Sequence, residues 1–415
     1  MSLQRALLFL ACILPVVAAA QSCDHDYVTR QFDVQVENDV FYGTATRFDG
    51  GTDSLRMNIY KPIGDDVQAR PVLVAIHGGA FTGGHRNDMN TMCSWYAERG
   101  YVAVTVSYRL GFYTPALLPS PYAYDQAEVI RAAYRAQQDV KGAIRFLRGR
   151  SELDSSDVTN YSVMGVSAGG ITALHVAYAT EELEKPASCG AASAVNQFLS
   201  QYPRPDLGPV NGELHLGEDA TVNACVSYFG GILDTMMIGS ADDPALFTYH
   251  QTGDPIVGCG HQQGLWGMPF GIGGNYPWLF GSCAMHPYVQ SLGFSDMRYE
   301  YHPHTGNAHD IHDLPLVDGW AAAFLARQFC SPITGLDHEA AALEPLVFPN
   351  PATERINVTL EEQTTLQLQL LAMDGRMVAR GSGTTISVGH LAAGPYLLEV
   401  RSEAGQWTRS VVISR

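Results

Sequence analysis

Tyr161-Ser162-Val163-Met164-Gly165-Val166-Ser167-Ala168-Gly169-Gly170-Ile171 reads as a strand that breaks into a helix. Tyr161 to Met164 is a short β-rich run, and the helical stretch after Ser167 continues to about Thr180. Between them Gly165-Val166-Ser167-Ala168-Gly169 fits the pattern G-x-S-x-G. A strand turning this sharply into a helix forces the serine into strained dihedrals, and the flanking glycines relieve the crowding. The hydroxyl is then held at the top of a sheet, near the positive end of the following helix. In a chain with 41 glycines the five letters alone are a weak signal. The strand before and the helix after give them meaning.

Outward from this point, from residue 54 onward, β-rich runs alternate with helical ones. Strands are expected at Ser54 to Tyr60, Val72 to Ile76, Val102 to Ser107, Cys225 to Phe229, Leu246 to His250 and Arg298 to His302. Helices are expected at Thr91 to Arg99, Asp125 to Arg148 and Leu314 to Phe329. This alternation predicts an α/β fold with a doubly wound, mostly parallel sheet of eight strands. Three stretches break the rhythm: Gly111 to Tyr124, Ser193 to Asn223 and Pro255 to Leu292. Each is rich in Pro, Gly and aromatics, and such excursions emerge where ligands bind, at the carboxyl ends of strands. They are candidate pocket walls. Phe112, Tyr113, Tyr122, Tyr124, Trp266, Phe270, Tyr276, Trp278 and Phe280 are candidate lining residues, the alternative being that they only pack these long loops.

A second signal is His77-Gly78-Gly79-Ala80-Phe81, at the end of the strand Val72 to Ile76. A small-residue turn there lets backbone N–H groups point at a developing oxyanion, although a Gly-Gly turn after a strand is often only a turn. The pair HGGAF and GVSAGG, with Ser107-Tyr108-Arg109-Leu110-Gly111 after a strand, resembles the carboxylesterase and lipase branches of the α/β-hydrolase superfamily. The resemblance covers about Tyr42 to Phe329. Ala80 stands where those sequences often have a third glycine, a change that keeps the backbone donor.

The resemblance implies a triad in the chain order serine, acid, histidine. Ser167 is then the nucleophile. Asp254, after the strand Leu246 to His250, is the expected acid, with Asp234 one strand earlier as the alternative. His309, in Gly306-Asn307-Ala308-His309, is the expected base, with His304 and His312 as competitors. Gly79, Ala80 and Ala168 are the expected oxyanion donors, and His77 is expected to steady their turn. These parts imply attack of Ser167 on an ester carbonyl and an acyl-enzyme that water releases. A peptidase on the same fold, or a catalytically inactive surface adhesion protein, is the alternative reading, and the intact residue set argues against the second. No cofactor is implied, and none of the cysteines shows the CxxC spacing of a metal site.

The two ends of the chain carry separate messages. Arg5, the apolar run Ala6 to Val17 and Ala18-Ala19-Ala20 have the grammar of a signal peptide over residues 1–20, too short for a bilayer span. A lipidated Cys23 is disfavoured because Ala20-Gln21-Ser22 lacks the small-residue box. Seven cysteines follow the leader, an odd number, and Cys259 with Cys283 is the expected pair because they bracket one Gly-rich loop. Residues 21–339 are read as the catalytic domain, 340–346 as a linker and 347–415 as a small all-β sandwich.

In that last segment Phe348-Pro349-Asn350-Pro351-Ala352-Thr353, Met373-Asp374-Gly375-Arg376-Met377-Val378 and Leu391-Ala392-Ala393-Gly394-Pro395-Tyr396 resemble, in order, a type IX secretion C-terminal sorting domain. The resemblance implies export across the outer membrane to the surface or beyond, with the secretion machinery as partner. A carbohydrate-binding sandwich is the alternative, disfavoured because Tyr396 and Trp407 are nearly its only exposed-aromatic candidates. The net charge of -17 excludes a nucleic-acid partner and is read as a solubility device.

Overall fold

The structure is a computed structural model that describes residues 23, 25–330, 345–360, 366–372, 376–402 and 405–415. The leader, most of the linker and the turn at Asp374-Gly375 lie outside the described residues. Two compact units divide between Pro332 and Ile333.

The first unit is built on an eight-stranded sheet. In spatial order its strands are Asp33–Thr46, Thr52–Ile63, Val102–Val106, Arg70–Ile76, Ser156–Val166, Ala224–Tyr228, Ala245–Gln251 and Tyr299–His304. The first two join antiparallel, the second meets Val102–Val106 antiparallel, and every later pairing is parallel. The seven expected strands, Tyr161 to Met164 among them, are all present. Asp33–Thr46 was not foreseen: it is an edge strand, largely exposed, with register shifts after Glu37 and Phe41, so it shows no apolar run.

Arg70–Ile76, Val102–Val106, Ala224–Tyr228 and Ala245–Gln251 are buried at every position because both faces of the sheet are covered there. Alternate residues of one strand serve different cores: Val72, Val74 and Ile76 pack in one cluster, Leu73 and Ala75 in the other. Helices Gln126–Arg148 and Ala168–Tyr178 supply the first cluster, and Asn90–Ala97 and Leu314–Phe329 the second. Asp125 caps the longest helix by accepting from the Glu128 N–H, and Asp313 caps the last by accepting from Leu316.

The excursions contain more regular structure than their composition indicates. Ser193 to Asn223 includes the hairpin Ala192–Gln197 and Ser200–Arg204. Pro255 to Leu292 includes the strands His261–Gln263 and Trp278–Gly281 and the helix Ser282–Ser291, which carries Pro287 inside it. Cys259 is disulfide-bonded to Cys283, as expected, and Cys23 to Cys330. Cys93, Cys189 and Cys225 are buried thiols.

The second unit has a three-stranded sheet (Leu346–Phe348, Arg355–Thr359, Thr385–Ser387) and a four-stranded one (Met377–Ser382, Gln367–Ala372, Gly394–Ser402, Gly405–Ile413). Leu368 and Leu370, Leu398 and Val400, and Val411 and Ile413 alternate into one small core. Tyr396 is 9% exposed and its hydroxyl donates to the Ala392 carbonyl, so it belongs to that core and not to an exposed aromatic face. Among the described residues no helix is long and apolar enough to cross a membrane.

Candidate active site

Ser167 follows the central strand Ser156–Val166 and precedes the helix Ala168–Tyr178, with φ 56° and ψ -123°. This is a conformation that residues with a side chain rarely hold, and it is fixed from both sides. A Cβ on Gly165 would lie 2.0 Å from the Gly169 carbonyl oxygen, and one on Gly169 would lie 2.1 Å from that of Ile76. Neither position admits anything but glycine. The Ser167 N–H donates to the Tyr228 carbonyl at 3.0 Å, tying the turn to the next strand.

The carboxyl ends of the neighbouring strands deliver the other groups. Ala245–Gln251 runs into Asp254, and Tyr299–His304 into the loop bearing His309. His309 Nε2 lies 2.7 Å from Ser167 Oγ, and its Nδ1 lies 2.7 Å from Asp254 Oδ2. Asp254 is fully buried, while the His309 side chain keeps one-fifth of its surface exposed. Burial works to raise the Asp254 carboxyl, but hydrogen bonds from His250 and His309, the His309 charge and the Ile256 N–H outweigh it and hold the group below its ordinary range. The Ile256 and Val257 N–H groups reach Oδ1 at 2.8 and 3.2 Å.

The competing residues are engaged elsewhere. Asp234 accepts from the Met236 N–H and caps a short turn. His304 and His312 stack on each other with ring centroids 3.7 Å apart, and His312 Nδ1 lies 2.8 Å from the Tyr249 hydroxyl.

Three supporting residues carry no motif. The buried Gln251 accepts from the Ala308 N–H at 3.0 Å and donates to Asp310 Oδ1 at 2.7 Å, clasping His309 from both sides. Phe229 meets the His309 ring edge to face, centroids 4.7 Å apart. The Trp266 indole donates to the Asp254 carbonyl at 2.8 Å. A polar amide ending a wholly buried strand was the signal for Gln251, since such a group needs partners.

The turn after Ile76 is held by N–H groups of Thr82 and Gly83 donating to the Gly79 carbonyl, an arrangement that does not use the N–H groups of Gly79 and Ala80. Ala80 and Ala168 line one cavity with Ser167. His77 is buried, its Nδ1 is 2.7 Å from the Gly78 carbonyl oxygen, and it stacks on Tyr108, whose hydroxyl donates to the His77 carbonyl.

The cavity corrects the expected pocket walls. Of the three excursions only Pro255 to Leu292 lines it, through Ile256, Val257, Gly264, Leu265, Tyr276, Pro277 and Leu279. Of the nine aromatic candidates only Tyr276 does. Gly111 to Tyr124 buttresses that wall from behind: the Pro121 carbonyl accepts from the Tyr276 hydroxyl, and those of Ala123 and Tyr124 accept from the Asn275 amide. Phe270 and Trp278 face solvent, 88% and 51% exposed. Apolar side chains belong inside only as a tendency, and aromatics on a loop's outer face obey no periodicity that would betray them.

The fold of the first unit is that of an α/β hydrolase. The chain belongs to the BD-FAE family, whose profile matches residues 57–265, and residues 346–414 match the secretion system C-terminal sorting domain. Venom carboxylesterase-6 of Apis mellifera is 27% identical over 128 residues, which is 30% of this chain and 21% of that protein. The chain thus matches about a fifth of that relative's length. Among solved structures, a truncated carbohydrate esterase from gut microbiota is similar at 15% identity (TM-score 0.43, covering 72% of this chain and 97% of that one). The thermophilic esterase Est2 of Thermogutta terrifontis is similar at 18% identity (TM-score 0.43, covering 72% and 95%). The chain thus joins a BD-FAE region to a type IX sorting domain, which directs it to the cell surface or the extracellular space.

Proposed function

We propose that this is a secreted serine carboxylic ester hydrolase in which Ser167, His309 and Asp254 act as a triad. His309 removes the Ser167 proton as the oxygen attacks the ester carbonyl, and the N–H groups of Gly79, Ala80 and Ala168 stabilise the tetrahedral oxyanion. The imidazolium then passes its proton to the departing alkoxide. Water, deprotonated by the same imidazole, releases the acid from the acyl-enzyme. Asp254 holds the imidazole in the tautomer with Nδ1–H and stabilises its positive form.

The observation that carries this reading is the unbroken relay of two 2.7 Å contacts, ending on a serine held in a strained turn. The substrate is a small or polymer-attached ester. The proposal includes a cleaved leader over residues 1–20, a catalytic domain to residue 339 and the sorting domain from 347. The test is hydrolysis of p-nitrophenyl acetate beside p-nitroacetanilide. Wild type is expected to cleave the ester far faster than the anilide, and Ser167→Ala to lose ester turnover while keeping its circular dichroism spectrum. Wild-type rates in Ser167→Ala would reject the assignment, and faster anilide cleavage would favour a peptidase.

A further inference from the structure

We infer that Ile130, Ala133 and Leu233 form a partition that ends the acyl-binding cavity and restricts the enzyme to short acyl groups. This inference rests on the esterase reading above. The cavity beside Ser167 has a volume of about 40 Å³. At roughly 10 to 15 Å³ per water-sized probe, that is space for about three small groups, the bulk of an acetyl or propionyl chain. Its walls are almost wholly apolar. Besides Ser167, Tyr276 contributes the only lining hydroxyl, and the Pro121 carbonyl already occupies it. Such a lining takes the hydrocarbon half of an ester and leaves a hydroxylated alcohol outside, because a polar group buried without partners is costly.

Directly behind lies a second void of about 10 Å³, lined by Tyr134, Gln137, His175 and Met237 among others. Ile130, Ala133 and Leu233 line both spaces, so they are the wall between them. Ile130 and Ala133 stand three residues apart on one helix face. Leu233 is held from behind: its N–H donates to His175 Nε2 at 3.4 Å, while His175 Nδ1 donates to the Ile171 carbonyl at 2.8 Å. Burial lowers the His175 pKa to about 4, which keeps the ring a neutral acceptor for that contact. Since His175 sits on the helix that begins at Ser167, the partition is set at a fixed distance from the nucleophile.

The test is kcat/KM on p-nitrophenyl acetate, propionate, butyrate, hexanoate and octanoate for wild type, Leu233→Ala, Ile130→Ala and Ala133→Leu, with thermal melts to establish folding. Wild type is expected to favour acetate or propionate and to disfavour hexanoate by on the order of 100-fold. Leu233→Ala and Ile130→Ala join the two voids, so the hexanoate-to-acetate ratio should rise at least tenfold. Ala133→Leu fills the cavity and should move the profile the other way, lowering propionate relative to acetate. If an alanine variant does not fold, Leu233→Val or Ile130→Val gives a smaller shift of the same sign. Equal wild-type use of octanoate and acetate, or profiles unmoved by all the substitutions, would overturn the inference while leaving the esterase reading intact. Absence of ester turnover by wild type would instead overturn the esterase reading, and the inference with it.

Discussion

The turn at Gly165 to Gly169 and the wall from Pro255 to Gly281 are both rich in glycine, yet the glycines do different things. In the turn each flanking glycine is dictated by a backbone oxygen about 2 Å from where a Cβ would sit, and the spacing is a motif. The wall is mixed. Gly281 is as crowded, against the Gly258 carbonyl, whereas Gly274 has nothing within 4 Å. Crowding in the wall records how one loop folds against itself, with the Cys259–Cys283 bond closing its base. The proposed triad follows parallel strands whose ends are fixed by the sheet. The shape of the cavity comes from irregular chain.

That contrast breaks most sharply at the reacting groups. Ser167→Ala and His309→Ala should each lower kcat for ester hydrolysis by about 10⁴- to 10⁶-fold with little change in melting temperature, measured by steady-state kinetics and calorimetry. Asp254→Asn keeps the shape but disturbs the tautomer, for a loss of about 10⁴-fold.

The same substitution has a signature in stability. The carboxyl titrates in the folded protein below its ordinary 3.8, so its stabilisation is complete above that value and is lost as pH falls through the folded value. Asp254→Asn should therefore flatten the fall in stability below about pH 4, read by denaturant titration. An unchanged acid limb would mean that His250, His309 and the Ile256 N–H together do not hold the carboxylate.

Gly165→Ala should destabilise by at least about 4 kcal/mol or abolish folding, because its Cβ meets backbone that cannot yield. Breaking Cys259–Cys283 with a pair of serines should cost about 3 kcal/mol, the closure of a loop with sequence separation 24. Gly274→Ala should change stability by no more than about 0.5 kcal/mol in a urea melt. A severe loss at Gly274 with tolerance at Gly165 would reverse the comparison.

The same distinction governs what could be read before the fold was known. Buried parallel strands announce themselves because both faces are apolar, and Val72 to Ile76 is legible from its letters alone. Asp33–Thr46 is not, since an exposed, bulged edge strand needs no apolar pattern. Nor is Ser282–Ser291, a short helix with Pro287 inside it. At the site, the roles expected of Ser167, Asp254 and His309 followed from motif and chain order. Gln251 and Phe229 reach the His309 loop through contacts that no local spacing encodes. Aromatic content marked Pro255 to Leu292 as a wall, but which aromatics face inward depends on a loop path that the sequence does not make periodic.

The central claim is that Ser167 is the atom donor to a covalent intermediate, made nucleophilic by His309. The most direct measurement is intact-mass and peptide-mapping analysis after treatment with a p-nitrophenyl phosphonate. The account predicts one adduct per chain, on Ser167, lost in Ser167→Ala and slowed at least 1,000-fold in His309→Ala. An adduct on another residue, or stoichiometric labelling of Ser167→Ala, would contradict it.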